Sequence, residues 1–186
     1  MTLTERGPIL LALARTSIAQ ALGLSSPAVD MPGWLQEPGA CFVTLTQNGQ
    51  LRGCIGSLEA RQSLGDDVRV NAVASALRDP RFAALTAAEF RRTQVEVSVL
   101  SAMEPLEFDN EAQALAQLRP QVDGVVLEWA GHRGTFLPQV WEQLPTVGAF
   151  MRQLKRKAGL PENFWSEGVR LQRYTVEKWK EDGCAP

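Results

Sequence analysis

Hydrophobic residues near the start of the chain repeat at helical spacing. They recur every three or four positions from Ile9 to Leu22, and residues at that spacing share one face of a helix. Pro8 is suited to a first helical turn, and Gly23 is suited to ending a helix. The pattern therefore predicts an amphipathic helix over residues 8–22.

The next segment, residues 24–39, is rich in residues that break regular structure. Proline and glycine occur five times within it, which is typical of loops. We predict an irregular surface connection over residues 24–39, held to the protein body by Trp34 and Leu35.

Two apolar runs, residues 40–46 and 51–59, flank a short polar turn. Its centre is Asn48-Gly49, a pair that favours the type I′ turn of a β-hairpin. The register that follows pairs Gln47 with Gln50, Leu45 with Arg52, Val43 with Cys54 and Cys41 with Gly56. This register places Arg52 and Cys54 on the same face as Cys41.

The remaining chain mixes helical and extended patterns in an irregular order. In chain order we predict a helix from Ser63 or Asp66 to Leu77, a short turn capped by Thr86 and Glu89, a strand from Gln94 to Ser101, a helix from Asn110 to Leu118, a strand from Gly124 to Trp129, a turn at Gly131 to Gly134 with a return strand to Pro138, a helix from Thr146 to Gly159, and a strand from Val169 to Val176. Such mixing, without an internal repeat, indicates an α+β fold.

Charge and hydropathy narrow the range of partners. The chain has 19 basic and 21 acidic residues, a net charge of -2, which gives no general attraction to nucleic acid or to an anionic membrane. The apolar run from Ile9 to Ala14 is too short to span a bilayer, and residues 1–7 do not resemble a secretion signal. We expect a cytoplasmic protein that binds neither nucleic acid nor membrane.

Cysteine and histidine content argues against a metal site. Cys41, Cys54 and Cys184 are irregularly spaced and form no CxxC pair, so neither a disulfide framework nor a structural zinc site is expected. Cys184, near the C-terminus, is expected to be an exposed thiol without function. His132 is the single histidine, and the motifs for phosphate, dinucleotide or iron–sulfur binding are missing. We predict no metal and no cofactor.

Cys54 is the strongest candidate for a reactive side chain. A thiolate is a strong nucleophile, and a nearby cation favours it; Arg52, two residues away in a strand, would point to the same side. Gly53 and Gly56 would let a ligand approach closely. The alternative is a buried structural cysteine in a strand covered by a helix.

Further polar residues are candidates for binding. His132, in the predicted turn, could transfer a proton, since histidine titrates near neutral pH; the alternative is a solvated turn residue without a role. Asp79 could orient Arg52 or hold a substrate group, or simply form a local charge pair at a helix end. The full set of candidate ligand-binding residues is Gly53, Gly56, Asp79, Arg81, Arg133, Thr135 and Gln139. The basic run Lys155 to Lys157 is expected on a solvated helix face.

Five blocks of sequence, in order and spacing, resemble the AMMECR domain family. They are LRGCIG (51–56), DPRF (79–82), EVSVL (96–100), GTFLPQV (134–140) and KAGLP (157–161). The resemblance covers nearly the whole chain. One departure is that family members often carry a cysteine after the leucine corresponding to Leu154, where this chain has Lys155.

The resemblance implies a single domain over residues 1–186 made of two packed α/β lobes: a larger mixed or antiparallel sheet flanked by helices, and a smaller lobe. The family's prokaryotic members, AmmeMemoRadiSam system protein A, imply association with a Memo-like protein and a radical SAM protein. The family supplies no established reaction.

Two functions remain open at this point. The first is an accessory or binding component that accepts a small molecule, a peptide or one of those proteins at the hairpin edge. The alternative is a small-substrate enzyme with Cys54 as nucleophile, Arg52 as its charge partner and His132 as acid-base group, in a cleft between lobes. Whether the chain is an enzyme is left undecided.

Overall fold

Two four-stranded β-sheets organise the chain, each with its own hydrophobic core. The computed structural model describes residues 3–181. These divide into unit 1, which runs to Leu100 and resumes at Glu177, and unit 2, Ser101–Val176. The α+β class predicted from the sequence is confirmed.

The helices agree in number and approximate position with the apolar pattern. They are α1 (Leu3–Ala21), α2 (Leu64–Leu77), α3 (Ala87–Phe90), α4 (Glu111–Ala116) and α5 (Val147–Lys157). The side chains of Ser63, Thr86 and Thr146 accept hydrogen bonds at the N-termini of α2, α3 and α5. Helix α1 starts earlier than predicted, so Pro8 lies inside it rather than in its first turn.

Within residues 3–181, ten strands and two 3₁₀ helices accompany these helices. The strands are β1 (Pro38–Gly39), β2 (Cys41–Gln47), β3 (Gln50–Gly56), β4 (Gln62–Ser63), β5 (Gln94–Leu100), β6 (Glu104–Pro105), β7 (Gly124–Trp129), β8 (His132–Phe136), β9 (Arg170–Tyr174) and β10 (Val176–Lys180). The 3₁₀ helices are Gly33–Gln36 and Pro138–Glu142.

The sheet of unit 1 has the order β10-β5-β2-β3. Helices α1 and α2 contact each other and pack on this sheet, and a continuous apolar core fills the space between them. Residues 24–39 contain a 3₁₀ turn and the short strand β1, which pairs with β4. Within that segment Leu35 is fully buried and Trp34 packs against the core.

The sheet of unit 2 has the order β6-β9-β7-β8, and each neighbouring pair is antiparallel. The β7–β8 turn lies at Ala130 and Gly131, both with positive φ, so it comes earlier than the predicted turn at 131–134. His132 is therefore the first residue of β8. On the core side Trp141 stacks on Phe150 with ring centroids 3.8 Å apart.

The predicted strand from Val169 to Val176 is in fact two strands in different sheets. Strand β9 belongs to the sheet of unit 2, whereas β10 lies beside β5 in unit 1. The division falls at Thr175, whose N–H donates to the Ser101 hydroxyl at 2.9 Å. Side-chain alternation continues through such a break, so the apolar pattern alone did not show it.

Lys155 corrects another expectation. The predicted solvated position is buried, with 3% of the residue exposed. Its ammonium donates to the Glu111 carboxylate at 2.6 Å and lies 5.5 Å from the centre of the Trp165 ring. A buried lysine requires such a partner because desolvation disfavours its charge. Within residues 3–181, no helix is long and apolar enough to cross a membrane.

Candidate functional site

A β-bulge changes the predicted register of the β2–β3 hairpin. Gln47 pairs with Gln50 as predicted, but the register shifts by one residue after Thr46, so that Leu45 faces Gly53. The extra residue of the bulge is Arg52. Two residues then oppose one on the partner strand, which reverses the faces beyond that point.

The shifted register separates the two thiols that were predicted to share a face. Cys54 faces Thr44 instead of Val43, whereas Cys41 lies on the face with the buried Val43. The Thr44 hydroxyl donates to Cys54 Sγ at 3.3 Å. Cys54 is a free, half-buried thiol, and Cys41 is free and fully buried. Burial raises the pKa of the Cys41 thiol, consistent with a structural role.

Helix α2 holds the hairpin through a seam of polar side chains four residues apart. The seam starts with Asp67, which accepts from the Cys41 N–H at 2.8 Å, and continues with Asn71, which donates to the Cys41 carbonyl at 3.2 Å. The Ser75 hydroxyl then accepts from Ile55 N–H at 2.8 Å and donates to the Val43 carbonyl at 2.7 Å. Ser75 thus bridges two residues that face each other across the hairpin.

The seam ends at Asp79, just beyond α2, and there it reaches Cys54. Asp79 Oδ2 accepts from the Cys54 N–H at 2.8 Å. Its carboxylate also accepts two bonds from the Arg81 guanidinium, at 2.9 and 2.7 Å. Arg81 in turn donates to the Cys54 carbonyl at 3.2 Å. One buried carboxylate therefore positions both an arginine and the backbone of the cysteine.

Electrostatics within this group are those of a tight ion pair. The hydrogen bonds from Arg81 hold the pKa of the Asp79 carboxyl well below its usual value, although its burial acts in the opposite direction. The same bonds raise the pKa of Arg81. The side chain of Asp79 is 2% exposed and that of Arg81 is 53% exposed. The pair is thus anchored in the protein and open to solvent on the arginine side.

Arg52 does not pair with Asp79, the acidic residue that the sequence suggested as its partner. Its guanidinium bonds to Glu89 at 3.3 to 3.4 Å rather than to Asp79. It lies 5.9 Å from the centre of the Phe82 ring, and Arg81 lies 5.5 Å from the same ring. The cation that contacts the Cys54 residue is therefore Arg81, and Arg52 is held by Glu89.

Protein atoms occupy the space beside both glycines that were proposed to admit a ligand. A Cβ at Gly53 would lie 2.2 Å from the Ser75 carbonyl oxygen. A Cβ at Gly56 would lie 2.2 Å from the Phe42 ring. These glycines permit α2 and a neighbouring side chain to pack closely, which is the other use of glycine in strands.

The other candidates lie in unit 2. His132 Nδ1 is 3.0 Å from the Ala158 carbonyl oxygen, and its ring stacks on Trp129. Arg133 pairs with Glu128 at 3.0 Å. These contacts tie the β7–β8 hairpin together and link it to the end of α5.

Two further polar candidates of unit 2 have different surroundings. The Thr135 hydroxyl is 3.2 Å from the Tyr174 hydroxyl, and burial raises the pKa of Tyr174 to about 12. Gln139 Oε1 is buried and has no hydrogen-bond partner within residues 3–181. Cys184 lies outside the described residues. No group of three or more potential metal-binding side chains occurs in the part of the chain that the structure describes.

Sequence reasoning missed Thr44, Ser75 and Phe82 as members of the site. Ser75 carried a usable signal because it continues, at four-residue spacing, a polar series with Asp67 and Asn71 in helix α2. Thr44 could be placed only with the bulge known.

Comparison with known proteins covers both units. The family model described as AMMECR1 matches residues 11–179. A protein of Methanothermobacter thermautotrophicus is 35% identical over 189 residues, which is 96% of each chain. A protein of Thermotoga maritima is 38% identical over 141 residues, 75% of this chain and 76% of its own.

A solved structure has the same fold. The crystal structure of the uncharacterized protein PH0010 from Pyrococcus horikoshii is similar with a TM-score of 0.84 and 32% identity. The match covers 96% of this chain and 93% of that one. The similarity therefore extends through unit 1 and unit 2.

Proposed function

The chain belongs to the AMMECR1 family, and we propose that it serves as a cytoplasmic binding component that docks onto a Memo-like protein or a radical SAM protein. The docking surface in this proposal is the Arg81 corner, defined as Cys54, Asp79 and Arg81 in unit 1. Family membership alone supplies no chemistry. The proposal therefore depends on the geometry of this corner.

The observation that carries the proposal is an arginine that is both fixed and available. Buried Asp79 holds the guanidinium of Arg81 by two short bonds, so little side-chain entropy remains to be lost on binding. Among the described residues its Nη1 amine has no hydrogen-bond partner. Arginines of this kind are frequent among the residues that dominate binding energy at interfaces.

The geometry favours docking through side chains rather than by adding a strand to the hairpin edge. An added strand needs free N–H and carbonyl groups along the edge. At Cys54 both groups are already bound, the N–H to Asp79 and the carbonyl to Arg81. An added strand would therefore find no free N–H or carbonyl group at Cys54.

We expect Arg81→Ala to weaken association with the partner by at least about tenfold, which corresponds to about 1.4 kcal/mol. The measurement is biolayer interferometry with the purified Memo-like and radical SAM proteins, each tested separately against the full chain. Arg69→Ala is the matched control because Arg69 also pairs with an aspartate, Asp66, on the surface of the same unit. Arg81→Lys tests whether charge alone is sufficient.

Two outcomes would contradict the proposal. One is that neither protein associates with the wild-type chain at micromolar concentration. The other is that Arg81→Ala and Arg69→Ala retain equal affinity for the partner. In the second case the chain would still be a binding component, but another surface would do the docking.

Three features of Cys54 favour the thiolate-enzyme alternative. Cys54 is free, its sulfur accepts a hydrogen bond from Thr44, and Arg81 lies at its carbonyl. A nucleophilic side chain needs polar groups within hydrogen-bond reach. The Cys54 side chain thus has some of the surroundings of a nucleophile.

This alternative predicts rapid modification of Cys54 by iodoacetamide in the native protein, faster than in the urea-unfolded chain, because an activated thiolate loses its surroundings on unfolding. Arg81→Ala should slow the native reaction, whereas Arg52→Ala should leave it unchanged because Arg52 bonds to Glu89. Peptide mass spectrometry would give the rate at Cys54. Protection of the native thiol would exclude the alternative and leave the binding role.

A further inference from the structure

A basic segment of unit 1 stands out in a chain that is acidic overall. Residues 78–92 contain four arginines and two acidic residues, while the whole chain has a net charge of -2. Arg52 joins this segment through its contact with Glu89. Patches of one charge meet patches of the opposite charge across protein interfaces, so these arginines suit an acidic group on a partner.

Two of these arginines lie around one aromatic ring. Arg52 and Arg81 each place their guanidinium carbon within 6 Å of the centre of the Phe82 ring. We name this group the Phe82 cluster: Arg52, Arg81 and Phe82. Arg52 is the deeper cation, with 14% of its side chain exposed, and Arg81 the outer one.

The two arginines differ in how well their charges are satisfied. Arg81 makes short bonds to Asp79, at 2.7 and 2.9 Å, typical of charge-assisted hydrogen bonds. Arg52 makes only long ones to Glu89, at 3.3 to 3.4 Å. The cluster thus combines a rigid arginine with one that is loosely paired.

Glu89 has another task that explains the long bonds to Arg52. Its Oε2 accepts from the Thr86 N–H at 2.9 Å and the Thr86 hydroxyl at 3.0 Å, the capping box of α3. The bond from the Thr86 backbone is the main reason that the pKa of Glu89 is lowered. A carboxylate used for capping is limited in how far it can approach Arg52. These bonds use Nε and Nη2 of Arg52, and among the described residues its Nη1 has no hydrogen-bond partner.

From these contacts we infer that the Phe82 cluster is a carboxylate-binding site, and that its ligand is an acidic side chain on the docking partner. This inference rests on the proposed function, because it supplies the chemistry of the group that the Arg81 corner meets. Arg81 Nη1 offers the outer contact and Arg52 the inner one. The flat guanidinium groups also suit carboxylate oxygens better than lysine would.

The test uses small probes in place of the partner. Glutamate blocked at both termini, its blocked glutamine counterpart, and free glutarate are titrated into the isotope-labelled full chain. Arginine Nε–Hε resonances report contact at each side chain. We expect blocked glutamate to shift the Arg52 and Arg81 signals and blocked glutamine to leave them in place, because the amide lacks the charge.

Three variants test which side chains bind the probe. Arg81→Gln should raise the dissociation constant for blocked glutamate about tenfold, whereas Arg69→Gln should not change it. Arg52→Lys retains the charge of the deeper site and should bind more weakly than wild type. A folded spectrum for each variant excludes unfolding as the cause.

Several results would overturn the inference. Equal responses to blocked glutamate and blocked glutamine would mean that the site does not distinguish a charged ligand from a neutral one. Arginine signals that do not move at millimolar glutamate would mean that no such site exists. Much tighter binding of glutarate than of blocked glutamate would identify a small-acid site instead of a partner contact. Displacement of the probe by an oligonucleotide at micromolar concentration would identify phosphate as the ligand.

Failure of the inference can be told apart from failure of the proposed function. If the partner proteins bind and blocked glutamate does not, the docking function stands and its carboxylate chemistry is wrong. If blocked glutamate binds and neither partner does, the site is real and the proposed docking function is wrong.

Discussion

Gly53→Ala is expected to lower the free energy of unfolding by about 3 kcal/mol, because a methyl group there has no space. The added Cβ would lie 2.2 Å from the Ser75 carbonyl oxygen and 3.1 Å from its carbonyl carbon. Both are backbone atoms of α2, so no side-chain rotation relieves the overlap. Helix α2 and strand β3 would have to separate.

Separation at this point would also break the hydrogen bonds through which Ser75 bridges Ile55 and Val43. Cys54 lies between Gly53 and Ile55, so its position depends on the same contact. The substitution therefore tests whether Gly53 serves packing, as the structure indicates, or ligand access, as the sequence suggested.

Gly33→Ala is the control for this comparison. No atom lies within 4 Å of the Cβ that it would add, and Gly33 is an exposed residue of a 3₁₀ turn. Its effect should be within about 0.5 kcal/mol of zero. Urea unfolding followed by far-ultraviolet circular dichroism measures both variants. Equal stability of Gly53→Ala and Gly33→Ala would show that the strand and helix are not in the close contact described.

Much of the fold could be predicted because its signals are local. Each of these signals involves residues only a few positions apart: the Asn48-Gly49 turn, the serine and threonine caps of α2, α3 and α5, and the alternation in β5. Turn and cap preferences act over just this range. The predicted types of these elements were therefore correct, because residues close in sequence determine them.

The site could be predicted only in part because its contacts join distant segments. Arg81 reaches Cys54 across 27 positions, and no local rule selects it over Arg52, which is two residues away. The bulge at Arg52 then turned Cys54 to the other side of the strand. A one-residue change in register reverses the face of every later side chain.

One signal in the sequence could have narrowed the choice. Asp67, Asn71, Ser75 and Asp79 recur every four residues, which places them along one side of α2 and its continuation. Polar side chains beside an apolar stripe need hydrogen-bond partners when buried. Here the partners are backbone groups of the hairpin, including the N–H of Cys54.

Lys155 shows that a local charge pattern can also mislead. A basic run at the end of a helix favours a solvated position, and Arg156 and Lys157 fit it. Lys155 does not, because it pairs with Glu111 of α4, 44 residues away. A local charge pattern contains no information about such a partner.

Asp79→Asn is expected to lower the free energy of unfolding by about 2 kcal/mol near neutral pH. An asparagine retains one acceptor oxygen, so it cannot serve both the Cys54 N–H and the two donors of Arg81. It would also place an amide donor beside other donors. Urea unfolding of the variant and the wild type measures the loss, and Asp66→Asn, on the exposed surface of α2, is the control.

The dependence of this loss on pH identifies the ionised carboxylate as its cause. Hydrogen bonds from Arg81 hold the pKa of Asp79 below its usual value in the folded protein, so the unfolded chain takes up the proton first as the pH falls. The stabilisation is complete above the unfolded pKa of about 3.9 and is lost as the pH falls toward the folded pKa. The stability gap between wild type and Asp79→Asn should therefore be constant from about pH 7 to about pH 5 and narrow toward about pH 3. A gap that stays the same over this whole range would show that the charge of Asp79 contributes nothing, and that the bonds to Cys54 and Arg81 act only through geometry.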